Sequence, residues 1–249
     1  MVGSPKHYRQ QGLGRFIEVS GPPVLLVHGF GTSFTATWRH TGWVDLLEDA
    51  GRSVVGVDLL GHGSGPRPTE PREYVDLEDH VLAAMPEEPV DAVGFSAGAM
   101  VVLWLAAHHP ARFNRIVVAG VGANLFNSDT GRSNALVEAV RSGSASDPEL
   151  RYFADLPEAS SGQPNARAAL VAFLERPDRR MFTTELLGRV TVPVLVVLGD
   201  RDFAGPATPL VEALPNASSC ELVGIDHFAT PKNFGFIDAG LKFLGAEPT

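Results

Sequence analysis

The sequence predicts an α/β protein, with a mostly parallel central sheet, helices on both faces and a small helical insertion. Three observations point there. Short, continuously apolar runs such as Val24–Val27, Val90–Val93 and Val194–Leu198 read as strands buried on both faces. These runs alternate with longer helical patterns, the arrangement that builds parallel sheets. The chain has 249 residues, which suits one such domain with a modest insertion and can bury a large core.

Taken in order, residues 7–19 hold two short segments around Gly12-Leu13-Gly14 that could pair as a hairpin. Pro22-Pro23 punctuates the chain, and Val24–Val27 is a buried strand ending in His28-Gly29-Phe30-Gly31-Thr32. Trp38 to Ala50 reads as one helix, with Gly51 beyond its end. Ser53–Asp58 is the next strand and runs into Leu59-Leu60-Gly61-His62-Gly63-Ser64-Gly65-Pro66, a turn-rich loop. Residues 71–84 suit an amphipathic helix. Arg115–Val121 is another buried strand. Strand rhythm resumes at Pro193–Leu198 and ends in Gly199-Asp200-Arg201-Asp202. A helix near 207–214, a strand near 219–223, Gly224-Ile225-Asp226-His227-Phe228 and a helix from about 231 to 244 complete the chain.

The composition changes between residues 122 and 188. Asn, Ser, Gly and Pro cluster there between short helix patterns. Asp147-Pro148 reads as an N-cap and first helical residue, and 166–174 as a helix. We therefore expect a core made of 1–121 and 189–249, with 122–188 as a helical cap over it.

One stretch carries the chemistry. The apolar run from Val90 ends in Gly94-Phe95-Ser96-Ala97-Gly98, and an Ala- and Leu-rich run follows to Ala107. The second run is apolar all round, which means a helix inside the protein. A serine between such a strand and helix stands on a sharp turn that small glycines allow. The turn lifts the hydroxyl clear and aims the Ala97 N–H, at the helix start, toward developing negative charge. A serine hydroxyl needs a base, and the base an orienting acid. The sequence supplies Ser96, then an acid after a strand, then His227 after the last strand. In parallel sheets, ligands bind beyond the carboxyl ends of the strands. The His28, Ser96, Asp202 and His227 segments each follow a proposed strand and so gather at that edge.

The motifs H-G-F-G, D-L-L-G-H-G-S-G, G-F-S-A-G, G-D-R-D and G-I-D-H-F, in this order, resemble those of the α/β-hydrolase superfamily from about residue 16 to 245. The resemblance implies Ser96 as nucleophile, His227 as general base and acid, and Asp202, preferred over Asp200, as orienting carboxylate. It places the oxyanion hole at the backbone N–H groups of Phe30 and Ala97. Haloalkane dehalogenases and epoxide hydrolases resemble this fold but attack with Asp at the elbow. Ser96 stands there instead, which favours acyl transfer. The expected activity is a serine esterase acting on small, largely apolar esters. Carbon–carbon bond hydrolases of ring breakdown share the arrangement, cofactor-free perhydrolases are related, and a non-catalytic ligand-binding module is a further reading.

Phe34, Trp38, Phe95, Phe203 and Phe228 neighbour the proposed catalytic turns. With Leu125, Phe126, Phe153 and Phe173 they could line an apolar acyl pocket, although core packing accounts for each as well. Met100 and Trp104 read as core. His28 is expected to brace the oxyanion turn. His62 is assigned to its loop rather than to chemistry, and Asp226 to structure. His108 and His109 suit a helix C-terminus.

The remaining features exclude classes. The formal net charge of −9 with no basic block argues against nucleic acid and anionic membranes. Cys220 is the sole cysteine, so no intramolecular disulfide is needed. No apolar leader precedes residue 11 and no run is long enough to span a bilayer, so a cytoplasmic location is expected. No metal-ligand spacing, P-loop or dinucleotide fingerprint is present, and no cofactor is expected.

Overall fold

The computed structural model describes residues 8–11, 15–18, 21–127, 129–156, 162–177 and 181–248. Two short strands, β1 (Tyr8–Gln11) and β2 (Arg15–Glu18), pair antiparallel. The Gly12–Gly14 turn assigned between them lies outside the described residues, as does 157–161 of the Ser/Gly/Pro-rich region.

The main sheet contains β3 (Val24–Val27), β4 (Val54–Val57), β5 (Val90–Phe95), β6 (Phe113–Ala119), β7 (Val194–Gly199) and β8 (Ala217–Leu222). All neighbours are parallel, in the order β4-β3-β5-β6-β7-β8. The expected parallel α/β sheet is therefore present. β3, β5 and β7 are buried along their whole length, which is why they read as apolar runs, interrupted only by Asp91 in β5.

Alternate side chains on these strands feed two cores. On one face Val24, Leu26, Val93, Val117 and Val197 pack with α1 (Trp43–Asp49) and α9 (Phe234–Leu244). The rings of Trp43 and Phe236 lie 4.9 Å apart there. On the other face Leu25, Val27, Ala92, Val118 and Val196 pack with α2 (Leu77–Ala84) and α3 (Ala97–His108). α3 buries side chains all round its circumference, as its uniform apolarity requires. Between β6 and β7 come α4 (Thr130–Ser142), α5 (Pro148–Ala154), α6 (Ala166–Leu174) and α7 (Thr184–Leu187). Asp147 caps α5 by accepting from the N–H groups of Glu149 and Leu150. α8 (Thr208–Ala213) joins β7 to β8.

Two expected helices are each divided. Trp38–Ala50 splits into a π-turn, Thr35–Arg39, and α1, because Gly42 takes a left-handed φ of 90° between them. Residues 71–84 split into a 3-10 turn at Pro71–Tyr74 and α2.

The chain leaves β3 for β4 at the sheet edge and returns on the opposite side of β3 as β5. The connections therefore run one way across the sheet from β3 and the other way from β5, while the strands stay parallel, which opens a crevice between their carboxyl ends. At the opposite end of the sheet an ion pair closes the fold. Arg52 bonds Asp91 at the start of β5, and also donates to the carbonyls of Pro22 (2.9 Å) and Leu244 (3.1 Å). Asn114 donates to the second Asp91 oxygen at 2.9 Å. Both charged side chains are buried. Removing one partner of such a pair strands the other charge, so Asp91→Ala should cost about 3–5 kcal/mol. Urea unfolding of the variant against the wild type measures this loss.

Candidate active site

The site is built at the crevice from loops that leave four strands. Ser96 follows β5 directly and has φ 52° and ψ −115°, a strained region for a residue with a Cβ. Its N–H donates to the Ala119 carbonyl at 2.8 Å and its carbonyl accepts from the Met100 N–H at 3.1 Å, so the turn is held from both sides. The flanking glycines are required by space. A Cβ on Gly94 would lie 2.7 Å from the Ala99 Cα, and one on Gly98 would overlap the carbonyl oxygens of Val27 and His28.

Ser96, His227 and Asp202 form one hydrogen-bonded chain. His227 Nε2 lies 3.0 Å from Ser96 Oγ. His227 Nδ1 lies 2.9 and 3.0 Å from the two Asp202 carboxylate oxygens. The carboxylate can only accept, so Nδ1 carries the proton and Nε2 is free to accept from the serine. Asp202 also accepts from the Ala204 N–H at 2.9 Å, and Asp202 and His227 are buried. Asp200 instead accepts from the Gly224 N–H at 2.7 Å in an exposed position, outside this chain. Asp226 accepts from the Ala229 N–H at 2.8 Å.

Phe30 and Ala97 flank Ser96 from the loop after β3 and the first turn of α3. Among the described residues neither N–H is used in a turn or cap bond. His28 lies behind this loop. Its Nδ1–H donates to the Gly29 carbonyl at 2.7 Å, and its Nε2 accepts from the Leu59 N–H at 3.0 Å. That pattern requires a neutral ring, and burial pushes the His28 pKa down to about 4. His28 therefore forms no ion pair with Asp58, although the two lie 3.5 Å apart. Burial pushes the Asp58 carboxyl up, but the N–H groups of Ser64 and Phe34 outweigh it and hold the carboxyl below its ordinary value.

His62 packs its ring against His28, Phe30 and Phe173. Its Nδ1–H donates to the Leu60 carbonyl at 3.0 Å, and its buried Nε2 has no hydrogen-bond partner among the described residues. Burial lowers its pKa to about 3.

Two cavities of about 230 and 310 Å³ meet at Ser96, and Phe30 and Phe153 line both. Phe95 and Phe228 line the smaller, and Phe203 lines the larger. Three aromatics assigned to the pocket lie elsewhere. Trp38 is fully buried against Trp43 and Phe236 in the core. Phe34 fills the space over Gly56, with the Arg39 guanidinium 5.6 Å from its ring. Phe126 lines a separate hollow beside Pro209 and Ala213. Conversely Met100, read as core, lines the larger cavity. Tyr152 and Leu156, which the sequence reading did not single out, line the smaller. Tyr152 stacks on Phe228 with ring centres 3.4 Å apart. Its adjacency to Phe153 in a capped helix was the available signal. No group of three or more metal-ligating side chains occurs among the described residues, and no helix among them is long and apolar enough to cross a membrane.

A parallel sheet with this crevice, and a serine raised on a strand-to-helix turn, defines a class of protein. The sequence model of the alpha/beta hydrolase fold family matches residues 22–217, and the chain belongs to that family. It is 30% identical over 209 residues to the pimeloyl-(acyl-carrier protein) methyl ester esterase of Neisseria meningitidis serogroup C, covering 74% of this chain and 76% of that protein. It is 32% identical over 143 residues to the 2-hydroxymuconate semialdehyde hydrolase of Pseudomonas sp. strain CF600, covering 55% of this chain and 48% of that protein. The crystal structure of a bromoperoxidase from Bacillus anthracis shares the fold, with a TM-score of 0.67 at 22% identity over 93% of this chain and 96% of that one.

The buried neutral histidines set a pH dependence of stability. Each is harder to protonate folded, with pKa values of about 4 and 3, than unfolded, where 6.5 applies. Stability should thus be constant above about pH 7 and fall as pH drops through 6.5 toward 4, at up to ~1.4 kcal/mol per pH unit per ring. Urea titrations across that range test this, and His62→Gln should reduce the slope by about half.

Proposed function

We propose that the protein is a serine hydrolase of carboxylic esters, with Ser96 as nucleophile, His227 as general base and acid, and Asp202 as the carboxylate that orients His227. The observation that carries this reading is the unbroken chain from Ser96 Oγ through His227 to Asp202. In the proposed reaction Ser96 Oγ attacks the ester carbonyl carbon while its proton passes to His227 Nε2. The carbonyl oxygen becomes an oxyanion and takes hydrogen bonds from the Phe30 and Ala97 N–H groups. The carbon–oxygen bond then breaks, and the leaving alkoxide oxygen takes the proton from His227. Water attacks the acyl-serine by the same route, giving the acid and restoring Ser96.

We further read 122–188 as a cap over a core of 1–121 and 189–249, with a small-molecule ester as partner. The similarity to the Neisseria methyl ester esterase supports ester cleavage. The Pseudomonas relative, a semialdehyde hydrolase, supports carbon–carbon hydrolysis as the second reading.

In purified protein, Ser96→Ala should lower kcat on short p-nitrophenyl esters at least about a thousandfold, and Asp202→Asn on the order of ten-thousandfold. Full turnover by Ser96→Ala refutes the mechanism. Turnover of a ring-cleavage product by an enzyme inert toward every ester would select the second reading.

A further inference from the structure

The two cavities at Ser96 are not equivalent, and the geometry points to a fixed seating of the ester: acyl group in the larger lobe, leaving alcohol in the smaller, with Phe153 as the partition. This inference rests on the proposed esterase reading and adds the orientation and size of the substrate.

The first argument concerns the proton. When the ester bond breaks, the departing oxygen must take its proton from His227 Nε2. His227 lines the smaller lobe and not the larger. An alcohol seated in the larger lobe would leave away from the only ring that can protonate it. The acyl carbon stays bonded to Ser96 and has no such need.

The walls of both lobes mix apolar and polar side chains. The larger lobe sets Leu77, Val101 and Phe173 beside Glu78, Asn127 and Arg176, so a chain or ring can lie along its apolar side. The smaller lobe sets Thr32, Thr37 and Thr41 beside Phe95, Leu156 and Phe228, so an alkyl alcohol fits there too, and the proton argument decides the seating.

Size gives the substrate class. A cavity of about 150 Å³ holds one benzene, so 310 Å³ accommodates an acyl group of about twelve heavy atoms. On the same measure 230 Å³ accommodates an alcohol of about nine. Phe153 belongs to both linings, and its ring lies 6.4 Å from Phe30 and 6.0 Å from Phe203. It stands between the lobes at the point where they meet.

Two narrowing variants test the assignment. Leu136, on α4, lines only the larger lobe and is partly buried. Ala36, in the π-turn, lines only the smaller lobe and is exposed. Neither belongs to the proposed catalytic chain. Leu136→Trp should lower kcat/KM on methyl decanoate tenfold or more while octyl acetate changes less than about twofold. Ala36→Trp should do the reverse. Phe153→Ala should raise activity on octyl decanoate, which is large on both sides, a gain that a misfolded variant cannot produce. The opposite pattern, or equal losses on both esters, overturns the seating. Methyl acetate separates the two claims, because it reaches into neither lobe. If the wild type fails to hydrolyse it and every longer ester, the esterase reading fails, not the seating.

Discussion

Helix α3 lies against strand β3 so closely that no side-chain carbon fits between Gly98 and the Val27 and His28 carbonyls. The site depends on that contact. It draws the first turn of α3 onto the sheet and forces the preceding residue into a backbone conformation rarely taken by residues with a Cβ. The strain is local, and the surrounding burial maintains it. The β5 strand on one side and the buried circumference of α3 on the other leave Ser96 no relaxed alternative. The same contact puts the start of α3 beside the Phe30 loop, so the hydroxyl and the two candidate N–H donors share one position in space.

A second layer holds this arrangement from behind. His28, Asp58 and His62 occupy the loops under Phe30, and each makes at least one hydrogen bond to a backbone group of those loops. Two imidazoles are kept neutral there by burial, so they add no positive charge beside the Asp58 carboxylate under the Phe30 loop. Protonating His28 would remove the lone pair that accepts from the Leu59 N–H and so break the bond that ties the two loops. The neutral ring acts as a rigid spacer.

The fold was legible because its strands are short, apolar on both faces and separated by helix patterns. The Ser96, Asp202 and His227 segments were legible because each follows a strand in a recognisable turn. Phe34, Trp38 and Phe126 were not, because adjacency in sequence to a catalytic loop does not fix side-chain direction. The left-handed Gly42 ends the π-turn, and Trp38 falls into the core with Trp43. Tyr152 and Leu156 reach the cavity through packing between elements far apart in sequence, which no local pattern records. The two-lobed shape of the cavity was also illegible, since it depends on where Phe153 of α5 rests against Phe30 and Phe203.

The closing contact from Arg52 to the Leu244 carbonyl spans 192 residues, and His227 reaches Ser96 across 131. At synthesis rates of about 5–20 residues per second, roughly 7–26 seconds separate the two ends of that second contact. During this interval β3 and β5 can pair and the serine turn can form, but its histidine has not been made. The strand order adds β6, β7 and β8 outward one after another, so the sheet grows toward the missing partner. The Ser96 hydroxyl thus stands without its hydrogen-bond partner until the last strand and helix dock. The hydrogen-bonded chain from Ser96 to Asp202 closes only when the last part of the sheet is in place.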